Sequence, residues 1–267
     1  VGSVMALVCA NAIDSEYAVL GIDLPNENSF WKTQSLNDGE FPLRAEDPKV
    51  EQFYRNALHK GNFYATCDDY VYSLADIVIV DIGLDVQIKK TINNDILEYD
   101  VSLSNFKNAI KSIAKKCKED LLVLVETTVP PGTTEKIVKR IIKSGLKKRG
   151  LSDDSFKLGH SSERVMPGEN YIDSIQNFYR VYSGVDVNSA QETEKFLKTI
   201  ISTKEYPLTR LVNTNATEMA KVLENSYRAM NIAFAVEWSR FAEEAEVNLY
   251  EIIDSIRMRP THSNMMY

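Results

Sequence analysis

The chain has 267 residues, 44% hydrophobic and 26% charged, the balance of a globular protein long enough for one large domain and an appendage. Its 31 basic and 38 acidic residues leave a net charge of −7 with no basic block, which argues against nucleic acid as the main partner, since phosphate binding needs clustered Lys and Arg. No stretch reaches the ~20 apolar residues of a membrane span, and Cys9, Cys67 and Cys117 lack metal-ligand spacing, so no metal is expected and the thiols read as free in a reducing, cytoplasmic compartment.

The opening segment, VGSVMALVCANAIDSEYAVLGIDL, carries a helical apolar pattern from Val4 to about Ile13. A β-rich run from Tyr17 to Leu24 follows and ends in Asp23. Gly2 and Asp23 have the separation of a helix-opening glycine and a ribose-binding carboxylate in a dinucleotide-binding βαβ unit. The first strand and first two glycines of that fingerprint would precede Val1, so only half of it is present, and a targeting segment lost from the front stays open. From Pro25 to about Asn62 the sequence is polar, with a helical piece at 50–59 and a short strand at 62–67.

The run ADIVIVDI at 75–82 is β-branched and continuous, as in a strand buried on both faces of a parallel sheet. Such strands meet cofactors at their C-terminal ends. An amphipathic helix is predicted over 102–118 and a second buried strand over 121–125. The segment ETTVPPGTTEKIVKRII then ends that strand at Thr127 and Thr128, turns rigidly at Pro130 and Pro131, and enters a helix through Gly132. A Thr hydroxyl at a strand's carboxyl edge can order a water or a substrate oxygen, or simply cap the strand. The basic run 139–149 alternates with apolar residues, as a solvated helix face does. Further strands are predicted at 156–161 and 178–185, with a closing helix at 189–202. Between the strands lies SSERVMPGENY, in which Glu163 is either a site carboxylate or half of a surface pair with Arg164.

Between Pro207 and Pro260 there is no Gly and no Pro. Met219, Val222, Leu223, Met230, Phe234 and Val236 recur at three- and four-residue spacings, which predicts one helix over 215–245 with a broad apolar face. Asn215 with Glu218 and Asn248 with Glu251 read as helix starts, each an N-cap with its reciprocal partner. Lys221 and Asn225 share a helix face. An ammonium and a carboxamide aimed at one point can hold an alkoxide as a hydride departs.

EMAKVLENSYRAMNIAFAVEW resembles the central helix of the nucleotide-sugar 6-dehydrogenases, the family of UDP-glucose and GDP-mannose dehydrogenases. VGSVMALVCA…VLGIDL is similar to that family's opening with its front removed, TTVPPG to its ST-V-P-x-G-T turn, and SSERVMPG to its S-P-E-R-V-x-P-G loop. The resemblance implies a Rossmann-like doubly wound parallel α/β sheet over 1–205, then a helical dimerisation domain over 206–267 with a long central helix and a short one. It places Lys221, Asn225, Glu163 and Thr128 in the active site, with Glu163 activating water. It assigns Gly2, Asp23 and Thr128 to NAD, Asp23 also repelling the 2′-phosphate of NADP. It lends Arg257 or Arg259 to the nucleotide diphosphate of a partner subunit, in a homodimer built on the 215–245 helix; His262 is read as structural.

The implied reaction removes four electrons from the C6 hydroxyl of a UDP-hexose or UDP-N-acetylhexosamine, through a Cys thioester, to give the uronate used in polysaccharide synthesis. That Cys and a C-terminal nucleotide-sugar domain would lie beyond Tyr267, so the chain alone is expected to be inactive for full turnover. Three departures matter. Ser162 replaces the loop Pro, Pro167 replaces a second loop carboxylate, and Gly83, Leu84 and Asp85 stand where a Pro-Thr-Pro-like turn is usual. The first two tilt the substrate toward an N-acetylated sugar. Two other readings compete: a two-electron β-hydroxyacid dehydrogenase, which shares the Lys–Asn spacing but has no counterpart of the Glu163 loop, and a non-catalytic dinucleotide-binding dimerisation module.

Overall fold

A computed structural model describes residues 2–92, 95–166 and 168–264. The chain forms two compact units, residues 1–219 and 220–267. The first begins with α1 (Gly2–Ala10), six of whose nine residues are buried; a helix apolar on all sides belongs in a core. β1 (Val19–Ile22) follows, then α2 (Glu27–Asn37), whose Asn26 cap accepts from Ser29 N. α3 (Pro48–Lys60) has Asp47 as N-cap, Pro48 in its first turn and Gly61 at φ 65° as its left-handed end. β2 (Phe63–Thr66) pairs in parallel with β1.

The main sheet is built from β3 (Ile77–Val80), β6 (Leu122–Val125), β7 (Lys157–His160), β8 (Val181–Gly184) and β9 (Thr209–Arg210), in that spatial order. β3, β6 and β7 run parallel, and β8 is antiparallel to β7. Between β3 and β6 lie a hairpin of β4 (Asp85–Ile92) and β5 (Asp95–Ser102) and the helix α4 (Ser104–Lys116). α5 (Lys139–Lys148), α6 (Tyr171–Gln176) and α7 (Val187–Ile200) complete the unit.

Alternation along the strands explains the layering. Leu122 and Leu124 of β6 face a core shared with α1, α3, α6 and α7, while Val123 and Val125 face a second core shared with α4 and α5. Helices on both faces of a mainly parallel sheet make the doubly wound α/β class expected from the sequence. α4 and α5 approach closely at Gly145, where a Cβ would stand 2.7 Å from Ala114 O. On α5, Ile142 and Leu146 are buried, so its lysines form the solvated face the pattern predicts.

Two features depart from the pattern reading. The hairpin at 85–102 occupies a span to which periodicity assigned nothing, and β8 reverses direction. The sheet also comes in two pieces: among the described residues β1 pairs only with β2, and β3 only with β6. α1 packs on both pieces, its core including Phe63 and Ala65 of β2 as well as Leu122 and Leu124 of β6.

The second unit contains most of α8 (Thr214–Glu244) and all of α9 (Leu249–Arg257), followed by a short 3-10 turn at Pro260–His262. No helix among the described residues is long and apolar enough to cross a membrane. The second start matches expectation: Asn248 caps α9 by accepting from Tyr250 N, and its Nδ2 donates to Glu251 Oε1 at 3.3 Å. The first does not. α8 is capped by Asn213, which accepts from Ala216 N at 3.0 Å, and Glu218 turns away from the helix start to serve another segment. Asn215 already lies inside the helix, so it has no orphan amide to receive.

Candidate functional site

The carboxyl ends of the parallel strands gather the polar residues of the first unit. Gly2 opens α1, and a nine-residue helix leaves its first amides without intrahelical partners, a natural anion site. A Cβ on Gly2 would lie 3.6 Å from Asp81 Oδ2, an ordinary van der Waals contact that sets this helix start beside the end of β3. Asp23 follows β1, is exposed, and accepts from Leu24 N at 2.7 Å. A helix N-terminus for a pyrophosphate and an exposed carboxylate one strand over for a ribose diol are the donor and acceptor set a dinucleotide needs. The residues present fit NAD.

At the ends of β3, β6 and β7 the burial is deeper. Thr127 donates to Val80 O at 3.1 Å and accepts from Ile82 N at 2.8 Å, so it is the strand cap. Thr128, next along, is half-buried. Glu126 is fully buried; its Oε1 receives Arg180 Nη2 at 2.5 Å, while Oε2 has no partner. Burial pushes the Glu126 carboxyl up to about 7, with Arg180 pulling it back in part and Asp81 and Glu163 adding to the rise. Asp81, whose Oδ2 is likewise buried and unpartnered, is raised for the same first reason. Arg180 also donates to Ser161 O at 3.2 Å and to Ser162 O at 3.4 Å. Glu163 comes next, half-buried, with Oε2 accepting from Val165 N at 2.6 Å. Arg164 lies over the Phe178 ring at 5.9 Å. Pro167 lies outside the described residues.

A second buried network ties in the first turns of α8. Thr217 Oγ1 is 2.8 Å from His160 Nδ1 and 2.8 Å from Ser183 Oγ, joining the ends of β7 and β8. Burial lowers His160 to about 4, so the ring is neutral. Glu218 accepts from Gly132 N at 2.5 Å and Thr134 N at 2.7 Å, placing a buried carboxylate at the start of the helix that follows the Pro130–Gly132 turn. Lys221, half-buried, and Asn225, exposed, stand one turn apart on α8 in the second unit. There too, Arg257 is ion-paired with Asp254 at 3.7 Å, Arg259 is exposed, and His262 is exposed with Nδ1 2.8 Å from Thr261 Oγ1. Among the described residues no group of three or more His, Cys, Asp or Glu could hold a metal.

Glu126, Asp81, Arg180 and His160 were not singled out from the sequence. For Glu126 and Asp81 the available signal was a carboxylate set directly after a fully apolar strand, as in LLVLVE and IVIVD; Arg180 and His160 carried no such signal.

The chain matches the NAD-binding domain of the UDP-glucose/GDP-mannose dehydrogenase family over residues 1–202 and that family's central domain over 215–267. It is 29% identical over 248 residues to the UDP-N-acetyl-D-mannosamine dehydrogenase of Pyrococcus horikoshii, covering 92% of this chain and 53% of that one. It is 34% identical over 158 residues to the same enzyme of Methanocaldococcus jannaschii, covering 59% and 34%. Among solved structures, the NDP-N-acetyl-D-galactosaminuronic acid dehydrogenase of Methanosarcina mazei is similar with a TM-score of 0.76 and 28% identity, over 97% of this chain and 51% of that one. The GDP-mannose dehydrogenase of Pseudomonas aeruginosa shares the fold at a TM-score of 0.78 and 21% identity, over 100% and 56%. The chain thus spans about half the length of the curated relatives it matches. With both domains matched in order, the chain belongs to the UDP-glucose/GDP-mannose dehydrogenase family.

Proposed function

We propose that the chain supplies the NAD-binding and central domains of an enzyme that oxidises the C6 hydroxyl of a UDP-N-acetylhexosamine to the uronate, N-acetylmannosamine being the favoured sugar. The observation that carries the reading is the match of both family domains in chain order, and the relatives' names favour the N-acetylated sugar. NAD supplies the hydride acceptor. Lys221, with Asn225 beside it on α8, stabilises the developing alkoxide and the later oxyanion. Glu163 directs the hydrolytic water, Thr128 borders the site, and Arg257 or Arg259 serves the diphosphate.

A thioester step needs an accessible thiolate. Burial raises the Cys9 thiol to about 12 and also raises that of Cys117, and neither faces solvent, whereas Cys67 is half-buried. The test uses the full-length protein with UDP-N-acetylmannosamine and NAD, counting NADH formed per sugar consumed. Two NADH per uronate are expected; one NADH, with an oxo product, would turn the reading into a two-electron dehydrogenase.

Homodimerisation through α8 belongs to the same proposal, supported by the apolar residues this helix leaves exposed. Phe234 is 52% exposed, Met230 60% and Phe241 73%. Covering several such side chains at ~1.5–3 kcal/mol each sustains a dimer. A well-folded monomer by sedimentation at micromolar concentration would overturn it, and Phe234→Glu is expected to convert dimer to monomer.

A further inference from the structure

The buried pair Glu126–Arg180 joins the two segments to which the proposed function assigns sheet-domain chemistry. Glu126 immediately precedes Thr127 and Thr128, and its main-chain N–H donates to Val80 O at 2.9 Å. Arg180 immediately precedes β8 and is 3% exposed, Glu126 0%. One guanidinium nitrogen, Nη2, reaches both Glu126 Oε1 and Ser161 O, and Nε reaches Ser162 O. Ser161 N is itself bound to Val125 O at 3.1 Å, and Ser161 Oγ donates to Val181 O at 2.9 Å. The main chain entering Glu163 is therefore fixed from both sides, by the β6 backbone and by a planar cation whose fork geometry a lysine does not reproduce.

We propose that Arg180, held by Glu126, is the positioning residue of the water-activating loop, setting the place of the Glu163 carboxylate through the Ser161 and Ser162 carbonyls. The inference rests on the reading of Glu163 given above. A cation placed there has a further effect: it pulls down Asp81 and Glu126, the two carboxyls that burial raises at the strand ends. Removing it would loosen the loop and leave Glu126 without its partner.

The test is a double-mutant cycle on the full-length protein with Arg180→Lys, Glu163→Gln and the pair, reading kcat, KM and the melting midpoint separately. Positioning predicts that Arg180→Lys lowers kcat about ten- to a hundredfold with KM within about threefold, a displacement of ~1 Å being enough for a hundredfold loss. In the Glu163→Gln background the same change should cost less than about threefold, since the group being placed is already gone. A folded Arg180→Lys with unaltered kcat, or an equal loss in both backgrounds, overturns the positioning role. If Glu163→Gln keeps full activity, the reading of Glu163 falls and the proposal falls with it; if Glu163→Gln is impaired and Arg180→Lys is not, the proposal alone falls. Should Arg180→Lys fail to fold, Glu126→Gln, which keeps the shape and an acceptor oxygen but removes the charge, carries the same cycle with the same expected pattern.

Discussion

The strand ends of the first unit and the helices of the second treat their polar and apolar groups in opposite ways. In the first, Glu126, Arg180, His160, Thr217 and Glu218 are all buried and held by main-chain or side-chain partners. In the second, pairs such as Arg240–Glu237 are local and exposed, while Leu223, Met230, Phe234 and Phe241 face outward. Exposed pairs of that kind contribute little, 0–1 kcal/mol. A fixed polar interior marks a unit whose geometry is settled by its own contacts. An apolar exterior on a helix marks a surface that acquires its environment from another body.

The largest effect expected tests the second unit, to which the proposed function assigns the oxyanion cation. Lys221→Ala in the full-length protein should lower kcat by ~10²–10³ with a small change in KM, the usual consequence of losing one oxyanion partner. Retention of a tenth or more of the wild-type rate would remove Lys221 from the chemistry.

Next in size is a break in the first unit. Glu218→Ala leaves the Gly132 and Thr134 amides without their acceptor inside the protein, at roughly 1–3 kcal/mol per unpaired buried group. Denaturant unfolding should show a loss of about 2–4 kcal/mol. A loss below about 1 kcal/mol would mean that water reaches these amides and that the first unit is less sealed than its contacts imply.

The smallest and most graded effect is in pH. Folded Glu126 titrates near 7 against an ordinary 4.5, so its contribution to stability is complete below 4.5 and is lost as pH rises through 7. His160 runs the other way: lowered from 6.5 to about 4, it contributes fully above 6.5 and loses that as pH falls through 4. Shifts of this size correspond to up to about 3 kcal/mol each. The two slopes oppose each other between pH 4.5 and 6.5 and leave a decline above that range. Glu126→Gln should uncover the His160 limb, with stability rising between pH 4 and 6.5, and shrink the fall through pH 7. Asp81 and Glu218, also raised by burial, add a loss of stability with rising pH of their own. A melting profile superimposable on wild type would show that Glu126 does not titrate there.

How far the sequence went follows the range of each interaction. Strands such as 77–80 and 122–125 were visible because runs like IVIV and LVLV need burial on both faces, and α8 because its period persists for thirty-one residues. The cap of α8 was misplaced by two residues, since the Asn215–Glu218 spacing has the form of a capping box and only tertiary contact sends Glu218 to Gly132. The hairpin went unassigned because its apolar residues are interrupted by charge, as in DVQIKKTI and DILEYDVS. The candidate residues Thr128 and Glu163 were accessible through motif resemblance, yet the side chains that brace them were not. Arg180 is 54 residues from Glu126, and no spacing rule connects them.

The close approach of α4 and α5 has a consequence for substitution. At an ordinary helical glycine, alanine gains up to about 1 kcal/mol of helix propensity. At Gly145 the added Cβ would stand 2.5 Å from Ala114 Cβ and 2.7 Å from Ala114 O, so the two helices would have to part and the gain reverses into a loss of about 1–3 kcal/mol. Thermal unfolding of Gly145→Ala would register this as a lowered midpoint, and an unchanged or raised midpoint would show that the α4–α5 contact can yield.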